Sequence, residues 1–224
     1  MTFSIAARCA ETGMLGVAVA SSSPAVAARC AYVRAGVGAV LSQNITDPRL
    51  GLRLLDLMEA GDGAKEAISV VSRTSDNIDY RQLIAVDRTG QSAIFSGTEA
   101  LGICGEAHGE NVASGGNLLA DGQIPEIMVD AFVSSQGHLA ERLVLAMQAA
   151  LDAGGEAGPI HSAGLKIADD VPWPVVDLRV DWTDSCPIME LRALWKIYQP
   201  QLDDYVTRAL NPGGAPSYGV PGDD

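Results

Sequence analysis

The chain has 224 residues, a formal net charge of −13, 47% hydrophobic residues and only 5% aromatic residues. This length and apolar content favour one packed domain, which we place at residues 1–210, followed by a Pro/Gly-rich tail at 211–224. The acidic charge argues against nucleic acids and anionic membranes as partners, because cationic surfaces bind both.

Cysteine usage and the start of the chain bear on its compartment. Cys9, Cys30, Cys104 and Cys186 lie far apart and form no C-x-x-C pair, which argues against zinc binding and thiol exchange. The start also lacks the basic segment and apolar stretch of a secretory signal peptide. We expect a cytoplasmic protein with reduced thiols, no metal and no other cofactor.

The chain is predicted to open with a β-hairpin. Residues 2–7 and Leu15–Ser21 have the composition of strands, and Gly13 can supply the positive φ that a tight reversal needs. Neither strand alternates apolar with polar residues, and a strand that is apolar on both faces is covered on both. We therefore expect this hairpin to lie between two layers of structure.

The rest of the chain alternates strands with helices. Asp47 is a predicted N-cap, Pro48 takes the first helical position, and Gly61 lies beyond the helix end. The other predicted elements are strands at 35–43, 82–86, 92–95, 161–167 and 175–180, and helices at 64–72, 124–134, 139–153 and 189–198. Residues 101–117 are rich in glycine and receive no assignment. Pairs of helices between antiparallel strands predict an α+β fold, a four-layer α-β-β-α sandwich of two antiparallel sheets.

The tail at 211–224 has the composition of a segment that does not order itself. We expect a neighbouring subunit to hold it in place. A homodimer is therefore the predicted assembly.

Thr2 is the leading candidate for chemistry. Removal of Met1 would leave a hydroxyl and a free α-amine on adjacent carbons, which is a nucleophile with its own base. An unperturbed α-amine has a pKa of roughly 7.7 to 8.0, so it can accept the hydroxyl proton directly or through one water. The alternative is that Thr2 is only the first residue of a strand, a position that Thr favours.

Several neighbours could assist Thr2. The second strand ends at Ser21, Ser22 and Ser23, which could orient the α-amine, although serines also form turns without any function. Arg34 could point from the third strand to the same sheet end and hold a fixed positive charge there, or it could form an ordinary surface salt bridge. Gln43 and Asn117 are uncharged donors of the type that forms an oxyanion hole.

A set of short motifs resembles the DUF1028 family. They are Thr2-Phe3-Ser4-Ile5, Gly16-Val17-Ala18-Val19-Ala20-Ser21, Arg34-Ala35-Gly36-Val37-Gly38-Ala39, Arg81-Gln82, Gly116-Asn117, Ala140-Glu141-Arg142-Leu143 and Asp177-Leu178-Arg179-Val180-Asp181. The resemblance implies an N-terminal-nucleophile hydrolase-like fold with Thr2 at the position of the nucleophile. It also implies that Arg34 occupies the place of a lysine that tunes the nucleophile in the proteasome-like branch. Because Arg does not give up its proton, Arg34 could act there only as a fixed charge.

One loop departs from the family pattern. Relatives usually read Gly-Gly-Asp, then an Arg-rich turn and Gln-Ser-Ala. This chain keeps an acid as Glu156, lacks the arginines and has His161 in place of the Gln. We interpret Glu156 and His161 as substrate-binding residues. If this loop shapes the ligand pocket, the ligand or the activity differs from that of the relatives.

Two functions therefore remain open. The first is an amidohydrolase in which Thr2 attacks a small-molecule or peptide-like amide. The second is a non-catalytic small-ligand-binding or structural oligomeric protein that has kept the scaffold, which the altered loop favours.

Overall fold

The computed structural model describes residues 1–220. Strands β1 (Thr2–Arg8) and β2 (Leu15–Ser21) form the predicted antiparallel hairpin. Gly13, in the turn, has a φ of +79°, which glycine adopts without steric cost. Every residue of β2 and all but the last of β1 are buried. The expectation that this hairpin is covered on both faces is confirmed.

Two antiparallel sheets stack on each other. Strands β3 (Ala31–Arg34), β4 (Gly38–Asn44), β5 (Arg81–Asp87) and β6 (Ser92–Ser96) form a four-stranded sheet in chain order. Strands β7 (Gly105–Gly109), β8 (Val112–Asn117), β9 (Ser162–Ala168) and β10 (Pro174–Val180) join the first hairpin. This six-stranded sheet has the order β10-β9-β2-β1-β8-β7.

Helices cover both outer faces. The helices are α1 (Ala27–Cys30), α2 (Pro48–Glu59), α3 (Ala64–Thr74), α4 (Ile124–Ser134), α5 (Leu139–Asp152), α6 (Pro187–Tyr198) and α7 (Leu202–Leu210). Helices α2 and α3 pack on the smaller sheet, and α4, α5 and α6 pack on the larger one. The predicted four-layer α-β-β-α sandwich is confirmed. None of the helices within residues 1–220 is long and apolar enough to cross a membrane.

Three apolar clusters fill the spaces between the layers. One lies between the larger sheet and its helices, and another between the smaller sheet and α2 and α3. The third lies between the two sheets and consists mostly of alanine and valine, together with Leu15, Leu41 and Ile84. Small side chains allow the two sheets to approach closely. The residues of β1, β2 and β8 that face the smaller sheet therefore line the space between the two sheets.

The strand predicted at 35–43 is wrong at its first three residues, because β4 begins at Gly38. The chain forms a β3–β4 hairpin there, with Gly36 in its turn at a φ of +65°. Because Ala35 and Gly36 are as small as the residues of the strand that follows, composition did not separate the turn from the strand. Helix α1 was also missed, since four residues carry no helical periodicity.

The unassigned segment 101–117 contains strands β7 and β8. Its glycines make room for close neighbours. A Cβ on Gly116 would lie 2.5 Å from Leu119 Cδ2, and one on Gly105 would lie 2.5 Å from the Gly122 carbonyl oxygen. Strand β7 therefore contains no β-branched residue and β8 contains only Val112, whereas strands are usually predicted from such residues.

The described part of the tail folds onto α7 of the same chain. Arg208 Nη2 donates to the Pro216 carbonyl oxygen at 3.1 Å, and its guanidinium lies 3.8 Å from the centre of the Tyr218 ring. Pro216 and Tyr218 therefore contact α7 within the same chain, and the expected contact with a neighbouring subunit stays a prediction. The end of the predicted tail, 221–224, lies outside the described residues.

Candidate functional site

A row of polar side chains crosses the inner face of the larger sheet at the end where β1 begins. In order across β8, β1, β2 and β9, the row is Asn117, Thr2, Ser21 and Ser162. Ala6 and Val19 point to the same side and pack between the sheets. Thr2 is 5% exposed and the other three are fully buried. The apolar space between the sheets therefore ends in a polar layer.

The smaller sheet contributes two buried amides to this layer. Gln43 and Gln82 lie opposite each other on β4 and β5, and Gln43 Nε2 donates to Gln82 Oε1 at 2.7 Å. Ser4 Oγ donates to Gln43 Oε1 at 2.6 Å, and Asn117 Nδ2 donates to Gln82 Oε1 at 3.3 Å. Asn117 Oδ1 is buried and has no hydrogen-bond partner. The side-chain amides of Gln43 and Asn117, which were expected to donate to an oxyanion, therefore already donate within this network. The atom without a partner, Asn117 Oδ1, is an acceptor, and Asn117 lies opposite Thr2.

Met1 covers Thr2. The Met1 carbonyl oxygen accepts hydrogen bonds from both Thr2 Oγ1 and Ser21 Oγ. The Met1 side chain lies over Gly158, where a built Cβ would be 3.6 Å from Met1 Cε. Met1 itself is 38% exposed. An acyl carbonyl therefore already occupies the space in front of the Thr2 hydroxyl.

A chain of hydrogen bonds links this carbonyl to the guanidinium of Arg29. Arg29 Nη2 donates to Ser23 Oγ at 2.6 Å, and Ser23 Oγ lies 2.8 Å from Ser21 Oγ. Thr2 Oγ1 is 3.5 Å from Ser21 Oγ. Because a guanidinium can only donate, the hydrogens run from Arg29 through Ser23 and Ser21 to the Met1 carbonyl. Such a chain polarises each successive hydroxyl.

Glu156 brings a buried carboxyl to the same end. It is 4% exposed, and both of its oxygens accept from the Ser22 backbone N–H at 3.2 Å. Burial raises the pKa of Glu156 to about 7, although the α-ammonium of Met1, the Ser22 hydrogen bonds and His161 all act to lower it. Glu156 therefore changes its charge near neutral pH.

His161 lies beside the row but its ring faces another loop. Its backbone N–H donates to the Ser21 carbonyl oxygen at 2.9 Å. Its Nδ1 lies 2.8 Å from the Thr183 carbonyl oxygen, so this nitrogen carries the hydrogen. The ring stacks on Trp182 with 4.2 Å between centroids. His161 thus joins the rim of the site to the segment that follows β10.

The predicted position of Arg34 is wrong. Arg34 lies opposite Gly38, at the start of β4, whereas Gln43 lies near the end of that strand. Five residues of strand span roughly 16 Å. The guanidinium instead contacts Asp56 at 2.9 Å and Glu59 at 2.8 Å, on the surface of α2. The error lies in placing Arg34 and Gln43 at the same sheet end, because they lie at opposite ends of the β3–β4 hairpin.

The family comparison follows the same stretch of chain. The model of the "Family of unknown function (DUF1028)" matches residues 2–191. The chain belongs to DUF1028. The crystal structure of protein SPO2555 from Silicibacter pomeroyi, a DUF1028 protein, is 31% identical to it with a TM-score of 0.82, over 88% of this chain and 89% of that one.

Two Anbu structures are more distant from this DUF1028 protein. Anbu (ancestral beta-subunit) from Yersinia bercovieri aligns at 12% identity with a TM-score of 0.39, over 91% of this chain and 97% of that one. The Anbu (Gly-1) mutant from Hyphomicrobium sp. strain MC1 aligns at 14% identity with a TM-score of 0.40, over 98% and 100%. No curated protein matches the chain.

Backbone strain concentrates at the polar end of this DUF1028 protein. Leu118, directly after Asn117, has a φ of +51°, and Ala25, four residues after Ser21, has a φ of +49°. Residues with a Cβ that are neither Asn nor Asp rarely adopt this region, and such strain is commonly found at functional sites. Two loops are therefore held in unfavourable conformations around the row.

Most of the predicted site residues meet in one place. The structure brings Thr2, Ser21, Ser22, Gln43, Asn117, Glu156 and His161 to this end and leaves Arg34 at the other. The sequence alone assigned no role to Ser4, Arg29, Gln82 or Ser162. Ser4 was detectable, because it lies two residues after Thr2 in a strand and so shares its face. Arg29 gave no signal, since its position depends on the short helix α1.

The described residues 1–220 contain no group of three or more His, Cys, Asp or Glu side chains that could hold a metal ion. What the site offers chemically is a hydroxyl, a chain of polarised hydroxyls, an unpartnered acceptor and a carboxyl that titrates near neutrality. This set suits proton transfer and acyl chemistry.

Proposed function

We propose that this protein is an amide hydrolase of the N-terminal-nucleophile type, with Thr2 as its nucleophile after removal of Met1. The observation that supports this most directly is the Met1 carbonyl oxygen, which accepts from both Thr2 Oγ1 and Ser21 Oγ. A carbonyl beside the Thr2 hydroxyl whose oxygen accepts from Ser21 supplies part of the arrangement for acyl transfer, and Thr2 Oγ1 would then have to lose its proton and approach the carbonyl carbon.

The proposed reaction proceeds in two steps. The Thr2 α-amine takes the proton of Thr2 Oγ1, which attacks the carbonyl carbon of the substrate amide. The C–N bond breaks, and the leaving amine departs with that proton, so that an ester to Thr2 Oγ1 remains. Water then attacks the ester, the α-amine again accepts and returns the proton, and a carboxylic acid is released.

Ser21 takes the role of oxyanion donor in this proposal, in place of Gln43 and Asn117. Its hydroxyl already donates to the Met1 carbonyl, and Arg29 supports it through Ser23. Asn117 Oδ1 is free to accept from the Thr2 α-amine and so to orient it. Arg29 thereby fills the role of fixed cation that the sequence assigned to Arg34.

The test compares proteins whose mature chain begins at residue 2. An electrophilic β-lactone should label the chain starting at Thr2 on that residue, and the Thr2→Ala variant should remain unlabelled. Thr12→Ala is the matched control, because Thr12 is an exposed threonine in the first turn. Intact-mass measurement of protein from its native host should show loss of Met1. Full retention of Met1 there, or equal labelling of the Thr2→Ala variant, contradicts the proposal.

A second function is favoured by one observation. Met1 keeps Thr2 buried, with an exposure of 5%, and a chain that retains Met1 has no free amine at Thr2. Such a protein would bind a small ligand or act as a structural oligomer without catalysis. Ligand-dependent thermal shifts of Met1-retaining protein, without any labelling of the shortened form, would support this second function.

A further inference from the structure

The residue that covers Thr2 shows what fits the site. The Met1 carbonyl meets Thr2 Oγ1 and Ser21 Oγ, and its side chain lies over Gly158. The Glu156 carboxyl is two residues before Gly158, and it accepts from the backbone N–H of Ser22, next to Ser21. Glu156 and Gly158 therefore both lie next to Met1.

Each part of Met1 has a matching surface. The carbonyl has two hydroxyl donors, and the thioether chain has the bare backbone of Gly158. The α-ammonium is attracted by the Glu156 carboxyl, which has no positively charged side chain in an ion pair with it among residues 1–220. A buried carboxylate without such a partner gains from binding a cation.

We propose that Met1 occupies the acyl subsite, and that the substrates are amides of α-amino acids with a free α-amine and an unbranched apolar side chain. This inference rests on the proposed function. In it, the α-ammonium of the substrate faces Glu156, its side chain lies over Gly158, and its carbonyl lies between Thr2 and Ser21. An acyl group of this kind leaves the site as a free amino acid.

Binding tests the subsite separately from turnover. The protein used begins at residue 2 and carries Thr2→Ala, so that it cannot form the ester. L-Methioninamide should bind to it at least tenfold more tightly than N-acetyl-L-methioninamide, measured by calorimetry near neutral pH. The Glu156→Gln variant should lose this preference. Met1-retaining protein is the control, and it should bind neither amide because Met1 fills the subsite.

The outcomes separate the two proposals. Equal binding of the blocked and free amides, or binding of neither, overturns the subsite whatever the β-lactone result is. Selective binding without any β-lactone labelling of Thr2 supports the subsite and contradicts the hydrolase. A Gly158→Val variant gives an independent check, because Gly158 is not in a positive-φ conformation and its Cβ would point at Met1. It should weaken methioninamide binding and leave the melting temperature unchanged.

A different observation concerns the edge of the larger sheet. Strand β10 is the last strand on its side, so one row of its backbone groups has no partner strand. Asp177 and Arg179 are exposed on this strand, two residues apart and opposite in charge. Antiparallel pairing of two β10 strands about Leu178 places Asp177 of each copy opposite Arg179 of the other. This register aligns opposite charges across the two copies, in addition to the ion pairs that Asp177 and Arg179 form with Lys166 at 3.3 Å and Asp181 at 2.8 Å in their own chain.

Apolar side chains continue this edge onto α6. Arg179 borders a groove that is also lined by Trp182, Leu194 and Ile197. These three are exposed by 52%, 38% and 66%, which is high for large apolar residues. An exposed apolar groove beside an unpaired edge is typical of an interaction surface.

We infer that this protein forms a homodimer by antiparallel β10–β10 pairing about Leu178. Light scattering should show a dimer for the wild type. Asp177→Arg and Arg179→Asp should each raise the dimer dissociation constant at least tenfold, because like charges then face each other. The variant with both changes restores opposite charges and should dimerise again. A monomeric wild type, or a dimer that neither single change weakens, or failure of the double variant to recover, overturns the inference.

Discussion

Glu156→Gln should remove a pH dependence of stability in the Met1-retaining protein. Burial raises the pKa of Glu156 from its ordinary 4.5 to about 7, so the folded protein binds this proton more tightly than the unfolded chain does. The contribution is therefore complete below pH 4.5 and is lost as the pH rises through 7. Between about pH 5 and about pH 8, the loss amounts to roughly 2.5 kcal/mol. Gln keeps the shape and an acceptor for the Ser22 N–H but cannot ionise.

Urea denaturation of the wild type and the variant at both pH values gives the comparison. The difference between their free energies of unfolding should change by roughly 2.5 kcal/mol across this range, with the variant gaining relative stability at high pH. The charged groups that face Glu156 are the Met1 α-ammonium and His161. His161 is present in both proteins, so its direct contribution cancels in the difference. Parallel stability profiles would refute the assignment of a buried, titrating Glu156.

Three further variants test the rest of the site. Arg29→Leu should slow β-lactone labelling of Thr2 about tenfold and alter its pH profile, while Arg34→Leu, which removes only surface ion pairs, should leave the labelling rate unchanged. Gly164→Ala should lower the free energy of unfolding by about 1–3 kcal/mol, because its Cβ would lie 2.2 Å from a side chain of α1, whereas Gly213→Ala meets no atom within 4 Å and should have little effect on thermal melting. Gln82→Leu should cost about 2 kcal/mol or more in urea denaturation, since it leaves buried amide groups without partners.

The layered fold was predictable because its signals are local. The apolar composition of β1 and β2 on both faces required cover on both sides, and the Asp47-Pro48 start of α2 was readable as a cap. The structure confirms both, including the hydrogen bond from the Arg49 backbone N–H to Asp47 Oδ1 at 3.0 Å. Periodicity also located α4 and α5, whose apolar faces cover the larger sheet.

What could not be predicted depends on where the chain reverses direction. Gly36 turns β3 into β4 in a stretch of small residues, and that single turn separates Arg34 from the site while leaving Arg29 beside it. In β7 and β8, glycines make room for neighbours that include Ile84 and Gly122, which lie well away in sequence, so few of the usual strand residues remain. The two arginines differ in role through tertiary position, which composition does not encode.

The hydrogen bonding of the polar layer indicates that the site binds a further group. Buried polar groups normally find partners, and an unmade hydrogen bond costs about 1–3 kcal/mol. The side chains of Thr2, Ser21, Gln43, Gln82 and Ser162 all have partners in this layer. Asn117 Oδ1 has none, and Asn117 lies opposite Thr2 in the β1–β8 register. Asn117 Oδ1 thus lacks a donor beside Thr2. If Met1 were removed, the α-nitrogen of Thr2 would become an amine, and that amine would supply the missing donor.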